Sequence, residues 1–405
     1  MTGYWCFVSL LCYGFIVQTN GLIRSREIFP PRTDPNLLVE DFVKQSGYPF
    51  ELHHVTTSDG YILAMHRIPP NNSNNTQSRR VVLIMHGLLG CSMDWIVTGR
   101  NRSIAYLLSD NGYDVWLGNS RGTTNSKNHT RLSLESSQFW DFSWHEMGIY
   151  DLSAMIDYIL YKTGQRQLFY IGFSQGTTQF WILMSLKPEY NRKIKLMSAL
   201  APVAYTGNIG GILRPLSFIA NFFRRFYKYI GFFELLPNSN LEKMITYRFC
   251  REGIVTQRIC ELMVSMVGGF SEGEMDHAHV AEYFQFAPAG CSFKQLVHYA
   301  MLIQNPGHFR PYDYGIIMNI IIYRRFSPPE YPLERITAPV ILFNGLSDVL
   351  AHPKVIRRLL INLSLEMDVE DNHIFVISPK LSISYLIIHH YFRMLRYCKK
   401  DCRTW

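Results

Sequence analysis

The stretch FYIGFSQGTT at residues 169–178 decides how this chain is read. Its first half is apolar enough for a buried strand, its end leads into TQFWILMSL, and Ser174 stands at the junction between Gly172 and Gly176. A serine framed in this way fits a sharp strand-to-helix turn, where the glycines are needed because side chains would clash with strand and helix. The same spacing occurs a second time, as GNSRG at residues 118–122. The residues after each serine separate the two. After Ser120 the chain reads RGTTNSKNHTRLS, polar and without helical periodicity, whereas Phe180, Trp181, Leu183 and Met184 give the segment after Ser174 a buried helical face. A helix amino end behind the serine places partial positive charge where negative charge develops in acyl transfer. Ser174 is therefore the candidate nucleophile, and Ser120 is assigned to a glycine-rich turn at the end of a strand.

Working outward, HHVTT and YILAMHRI flank the turn signal Ser58-Asp59-Gly60 and read as an opening hairpin. VVLIMHG comes next as a buried strand. The segments after it alternate: helix-like SIAYLLSDNG, strand YDVWLG, helix-like YDLSAMIDYILYKTG, strand LFYIG, helix-like TQFWILMSL and strand KLMSALAP. Buried strands alternating with amphipathic helices predict an α/β protein with a mostly parallel sheet covered on both faces. The rhythm breaks at residues 205–332, where aromatic segments such as ILRPLSFIANFFRRFYKYIGFFELLP and the helix-like VAEYFQFAPAG take over. Arg224, Arg225 and Lys228 interrupt the first of these, so it is not a spanning helix. APVILFNGLSD, PKVIRRLLINL and LSISYLIIHHYFRMLRY then resume the pattern. The expected organisation is a core at 35–204, a helical insertion at 205–332 and the rest of the core at 333–405.

A chain of 405 residues with 47% hydrophobic and 18% charged content can bury a large core. Ahead of Arg24, the first basic residue, runs YWCFVSLLCYGFIV, which predicts a secretory signal over residues 1–20, with an uncleaved anchor as the alternative. Sequons at Asn71, Asn74, Asn101, Asn128 and Asn362 suit a glycosylated secretory product. Loss of the signal with Cys6 and Cys12 leaves six cysteines, and Cys250 and Cys260 bracket a short polar segment that an oxidising compartment would let close. Two unconnected thiols are the alternative there. The net charge of +8 favours anionic surfaces in general, but dispersed basic residues and the lack of a finger, zipper or RNP pattern argue against nucleic acid. His277 and His279 with Asp276 lack a companion cluster at zinc spacing and read as a polar helix face, so no metal or cofactor is expected.

A serine nucleophile needs a histidine to take its proton and an acid to orient that histidine. Asp348 stands just beyond the late strand VILFNG, while Asp368 and Asp371 read as solvated loop charges. His373, between the turn-prone EDN and IFVISP, is the histidine on a loop. His352 lies only four residues past Asp348, and His389 and His390 belong to an apolar helix. The backbone N–H of Gln175 and that of Leu88, in HGLLG at residues 86–90, are the expected oxyanion donors.

In its motifs the chain resembles the acid lipase family. The likeness runs through SDGYIL, HGLLG, NGYDVWLGNSRG, FWDFSWHEMGIYDL, GFSQGTTQF, ALAPVA, PAGCS and NGLSDVLA in that order. The resemblance implies an α/β-hydrolase fold with a helical cap and lid, a Ser174–Asp348–His373 triad, Leu88 and Gln175 as oxyanion donors, and a Cys250–Cys260 cap disulfide. It further implies a neutral lipid ester, triacylglycerol or steryl ester, taken at a lipid–water interface by a secreted or lysosomal enzyme, with no obligate protein partner. Three departures stand out: Phe173 where a histidine is common before the nucleophile, NHIFVIS where N-H-L-D-F is usual, and no third cysteine near Gly268-Gly269-Phe270. The altered loop at His373 leaves a second expectation, a lipid carrier that keeps the fold without turnover.

Overall fold

The computed structural model describes residues 35–70, 80–100, 102–207, 213–224, 226, 227, 229, 231, 233–236, 286–345, 353–363 and 375–377. After helix α1 (Pro35–Gln45), strands β1 (Glu51–Thr56) and β2 (Ile62–Ile68) form the antiparallel hairpin expected around Asp59-Gly60. Next come β3 (Arg80–Met85), α2 (Ile104–Asp110), β4 (Tyr113–Gly118), α3 (Ser153–Thr163), β5 (Leu168–Phe173), α4 (Gln175–Leu186) and β6 (Ile194–Leu200). Strands β9 (Val340–Gly345) and β10 (Phe375–Ile377) complete the sheet around helix α8 (Pro353–Asn362).

The eight strands are ordered β1-β2-β4-β3-β5-β6-β9-β10, and every pairing from β4 to β10 is parallel. Parallel strands need crossovers, and the helices that make them cover both sheet faces. Residues of one strand therefore divide between two apolar layers. Val81, Leu83 and Met85 of β3 join Leu168 and Tyr170 of β5 and Phe180 to Met184 of α4 on one side. Val82 and Ile84 join Phe169, Ile171 and the α2 residues Ile104, Tyr106 and Leu108 on the other.

The stretch expected as an insertion contributes α5 (Leu213–Phe223), the short pair β7 (Glu234–Leu235) and β8 (Cys291–Ser292), α6 (Phe293–Gln304) and α7 (Ile316–Tyr323). Helix α5 packs along α6, and α6 is seated on FWDFSWHE. Lys294 Nζ donates to Asp141 Oδ1 at 2.9 Å, and His298 stacks on Trp144 with ring centroids 3.7 Å apart. Two expectations are corrected. The end of VAEYFQFAPAG, from Phe286 to Gly290, is a turn rather than helix, since a proline at 288 lacks the N–H and Gly290 holds φ +83°. The helix expected from Tyr150 onward begins earlier, at Trp144, and its second stretch, Met147–Leu152, is wound as a π-helix.

Candidate active site

The sheet order places the candidate site. From β3 the chain moves to β4 on one side and then returns to β5 on the other, so loops leaving the carboxyl ends of β3 and β5 face each other across a switch point. Met85 of β3 is in register with Gly172 of β5, which sets residues 86–89 beside Phe173 and Ser174.

At that point Ser174 takes φ +48° and ψ −112°, a conformation L-residues rarely adopt, between the last residue of β5 and the first of α4. Strain of this kind costs about 1–3 kcal/mol and persists only when the surroundings over-determine it. Here they do. A Cβ on Gly176 would lie 2.7 Å from the Met85 carbonyl oxygen and 3.1 Å from that of His86, and one on Gly172 would lie 3.0 Å from Gly176 C and Thr177 N. Only glycines let α4 start this close to the end of β3. Ser174 N–H donates to Leu200 O at 3.0 Å, Thr177 Oγ1 donates to Ser174 O at 2.6 Å, and Val203 N–H closes onto Thr177 Oγ1 at 2.9 Å. The bend is thereby tied to the exit of β6.

Gln175 is the first residue of α4, so its N–H has no acceptor within the helix. Its side chain is buried, with Nε2 3.5 Å from Met147 Sδ, which leaves the backbone rather than the amide group at the site. Across from it, a Cβ on Gly87 would stand 3.2 Å from Ser174 Cβ and 3.0 Å from the Phe173 ring. The Gly87 carbonyl accepts from His86 Nδ1 at 2.7 Å and from Gly90 N–H at 3.2 Å. Because the peptide unit is planar, fixing the Gly87 oxygen also fixes the direction of the Leu88 N–H. His86 Nε2 in turn accepts the Ser120 N–H at 3.1 Å, so the imidazole is the neutral Nδ1–H tautomer, and burial pushes its pKa down to about 4. Phe173 stands edge-on to Trp95, ring centroids 6.5 Å apart, and makes an apolar wall where a histidine would have been polar.

Ser120 sits in the structure as a buried turn residue whose Oγ accepts from Gln179 Nε2 at 3.0 Å. Its neighbour Arg121 was not singled out by the sequence. This guanidinium is buried, donates to both oxygens of Asp59 at 2.6 and 2.9 Å and to Asp151 Oδ1 at 2.7 Å, and lies 3.9 Å from the centre of the Tyr61 ring. Burial pulls the Asp59 carboxyl upward, but the Arg121 hydrogen bonds and charge more than offset this and hold it below the ordinary range. SDG, GNSRG and the π-helical turn are joined through this one side chain. An arginine in the glycine-framed turn just past an apolar strand was the available signal, but its two partners are 62 and 30 positions away.

Asp348 and His373 lie outside the described residues. β9 runs parallel to β6 and ends at Gly345, three positions before Asp348; β10 starts at Phe375, two positions after His373. Cys250, Cys260, Asn71, Asn74, Asn101, His277, His279, Asp276 and residues 1–20 are also outside the described set. Asn128 and Asn362 are exposed. Among the described residues no helix is long and apolar enough to cross a membrane, and no cluster of metal-ligating side chains occurs.

Residues 39–99 match the model of a partial alpha/beta-hydrolase lipase region, and residues 80–246 match that of the alpha/beta hydrolase fold. Lipase 1 of Drosophila melanogaster is 40% identical over 328 residues, 80% of this chain and 70% of that protein. Lipase 3 of the same fly is 39% identical, covering 78% of this chain and 81% of its own. Gastric triacylglycerol lipase of Rattus norvegicus is 37% identical over 338 residues, 83% and 85% of the two chains. With identities of this size spread over four-fifths of its length, the chain belongs to the acid lipase family, lipase-type carboxylic ester hydrolases of the α/β-hydrolase fold.

Proposed function

We propose that this protein hydrolyses neutral lipid esters, triacylglycerol or steryl ester, through an acyl-enzyme on Ser174. The observation that carries this reading is the Ser174 bend, held at positive φ with Gly87 packed against it and the helix start behind it. His373 takes the Ser174 proton as Oγ attacks the ester carbonyl, and Asp348 orients the imidazole. The backbone N–H groups of Leu88 and Gln175 receive the charge that builds on the carbonyl oxygen. The same imidazole then protonates the departing alcohol, and water repeats the sequence in reverse roles to release the fatty acid. The names of the relatives support the lipid class, and the aromatic composition of the inserted segment supports an apolar acyl site. A secreted or lysosomal setting, glycans on the exposed Asn128 and Asn362, and a Cys250–Cys260 bridge complete the proposal.

The test is active-site labelling with a fluorophosphonate followed by a panel of long-chain glycerides, steryl esters, short esters, thioesters and amides. The expected result is one adduct, on Ser174, lost in Ser174→Ala and in His373→Ala, with long-chain esters turned over best. One observation favours the carrier instead: β10, whose first residue Phe375 is level with Phe173 through Phe343 and Leu200, follows His373 rather than leading up to it. Folded protein that binds lipid but takes no label would establish that second reading.

A further inference from the structure

Helix α7 inverts the usual arrangement of a surface helix, which buries its apolar stripe and shows its polar one. Its sequence is IIMNIIIY, and the buried residue is the polar one, Asn319. Asn319 Nδ2 donates to Asp313 Oδ1 at 2.8 Å and to Phe326 O at 3.0 Å, while its Oδ1 accepts Tyr314 N–H at 3.0 Å. Tyr323, at the other end, donates to Tyr312 O at 2.8 Å. Polar contacts thus pin the helix. Ile316, Ile317, Met318, Ile320, Ile321 and Ile322 are left 42–76% exposed, and Phe326 just beyond is 75% exposed. At about 100° per residue these six helical positions sweep an arc of about 240°, with Asn319 and Tyr323 filling the inward remainder.

Soluble proteins rarely leave so contiguous an apolar surface without an occupant. A folded partner, or a second copy of this chain, covers about one side of a helix, whereas a fluid hydrocarbon phase wets an entire open arc. Eight residues rise only about 12 Å, far short of a bilayer core, so the helix lies in one leaflet rather than across it. Charge points the same way. Arg324 and Arg325 directly succeed the helix, both are exposed, and no carboxylate of the described residues pairs with either. Long basic side chains beside an inserted apolar helix reach back to headgroup phosphates and favour an anionic surface. A second patch adjoins this one. Phe218, Ile219, Phe222 and Phe226, on and just past α5, are 50–70% exposed, and Arg224 donates from Nη1 to the carbonyl of Asp313, whose Oδ1 accepts the Gly315 N–H just ahead of α7.

We propose that α7, with Arg324 and Arg325, is an anchor that docks the protein on anionic lipid surfaces, with the outer face of α5 beside it. The proposal rests on the lipid-ester reading in one respect: fatty acid released by that reaction would itself make the surface anionic. The test uses the full chain and flotation with vesicles of phosphatidylcholine alone or mixed with phosphatidylglycerol, alongside turnover of a water-soluble short-chain ester. Ile317→Asp with Ile321→Asp is expected to lower partition onto mixed vesicles by at least about tenfold, since each replaces exposed apolar area by charge, and to leave short-ester turnover within about twofold. Arg324→Gln with Arg325→Gln is expected to lose about tenfold on mixed vesicles and little on neutral ones. Ile317→Trp provides a positive readout independent of the other variants, a blue shift of its emission when mixed vesicles are added. Unchanged partition in the aspartate variant, or no shift of the tryptophan, overturns the anchor. So does sedimentation showing an oligomer that the aspartate variant dissolves while vesicle binding persists, which assigns the face to a second copy. Loss of ester turnover in the wild type with vesicle binding intact would instead remove the enzymatic reading and leave the anchor standing.

Discussion

The turns at 118–122 and 172–176 share one pattern, G-x-S-x-G, and leave the two strands that flank β3, yet they have become opposite things. Ser174 is half-buried and held at φ +48° with a helix behind it. Ser120 is fully buried, clamped between His86 below its N–H and Gln179 above its Oγ, with Arg121 beside it paired with the carboxylates of Asp59 and Asp151. The first turn is strained and open; the second is relaxed and enclosed. The two are also coupled, because the His86 ring that receives the Ser120 N–H donates to the carbonyl of Gly87, the neighbour of the Ser174 side chain. The enclosed turn buttresses the wall of the open one.

The largest expected difference is chemical. Ser174→Ala should lower kcat by on the order of 10⁶ with the fold intact, while Ser120→Ala should keep the covalent label. Equal labelling of both variants would erase the contrast between the two serines. Next is Gly176→Ala, whose methyl must displace the Met85 carbonyl: about 1–3 kcal/mol or more of stability should be lost, with activity falling further because the bend carries Ser174. A denaturation midpoint equal to wild type would show that the close approach is not what keeps the glycine.

A smaller effect separates structure from chemistry. Ser120→Ala leaves Gln179 Nε2 without its hydroxyl acceptor in a buried place and should cost about 1–3 kcal/mol in urea unfolding, with kcat within about twofold. The last effect is read against pH and concerns Asp94, in the segment after HGLLG. Its carboxylate is turned inward, with Oδ1 enclosed and unpartnered although the residue is part-exposed, and burial raises its pKa to about 7 against one opposing hydrogen bond from the Cys91 backbone. The native state therefore holds the proton that the unfolded chain gives up near its ordinary value of about 3.9. The stability this brings is complete below about pH 4 and is lost as pH rises to about 7. Asp94→Asn has no proton to lose, so its melting temperature should decline less than that of wild type across that window. Parallel curves would return Asp94 to an ordinary exposed carboxylate.

Legibility in the sequence tracked the range of the interactions. That a helix follows Ser174 and not Ser120 was readable because it depends on the dozen residues after each one, and helix periodicity is written locally. The hairpin and the alternation of strands and helices were readable for the same reason. Gln175 and Leu88 could be named from position beside two short motifs. His86, Gln179 and Arg121 could not, because their partners lie 34, 59 and 62 positions away and no local pattern records such pairings. The π-helical turn also escaped, since one widened turn leaves the apolar spacing of YDLSAMIDYILYKTG almost unchanged.

The sequence by itself determined the class of fold and the strand-to-helix turn that carries Ser174, because burial of apolar side chains at periods of two and 3.6 is a property of each segment alone. Only the tertiary structure decided that β3 stands between β4 and β5, that one histidine bridges both serine turns, and that α7 shows its isoleucines to solvent. These depend on which distant segments close against one another. Burial pattern tells a segment which of its faces is apolar, but which face is covered is settled by what packs beside it.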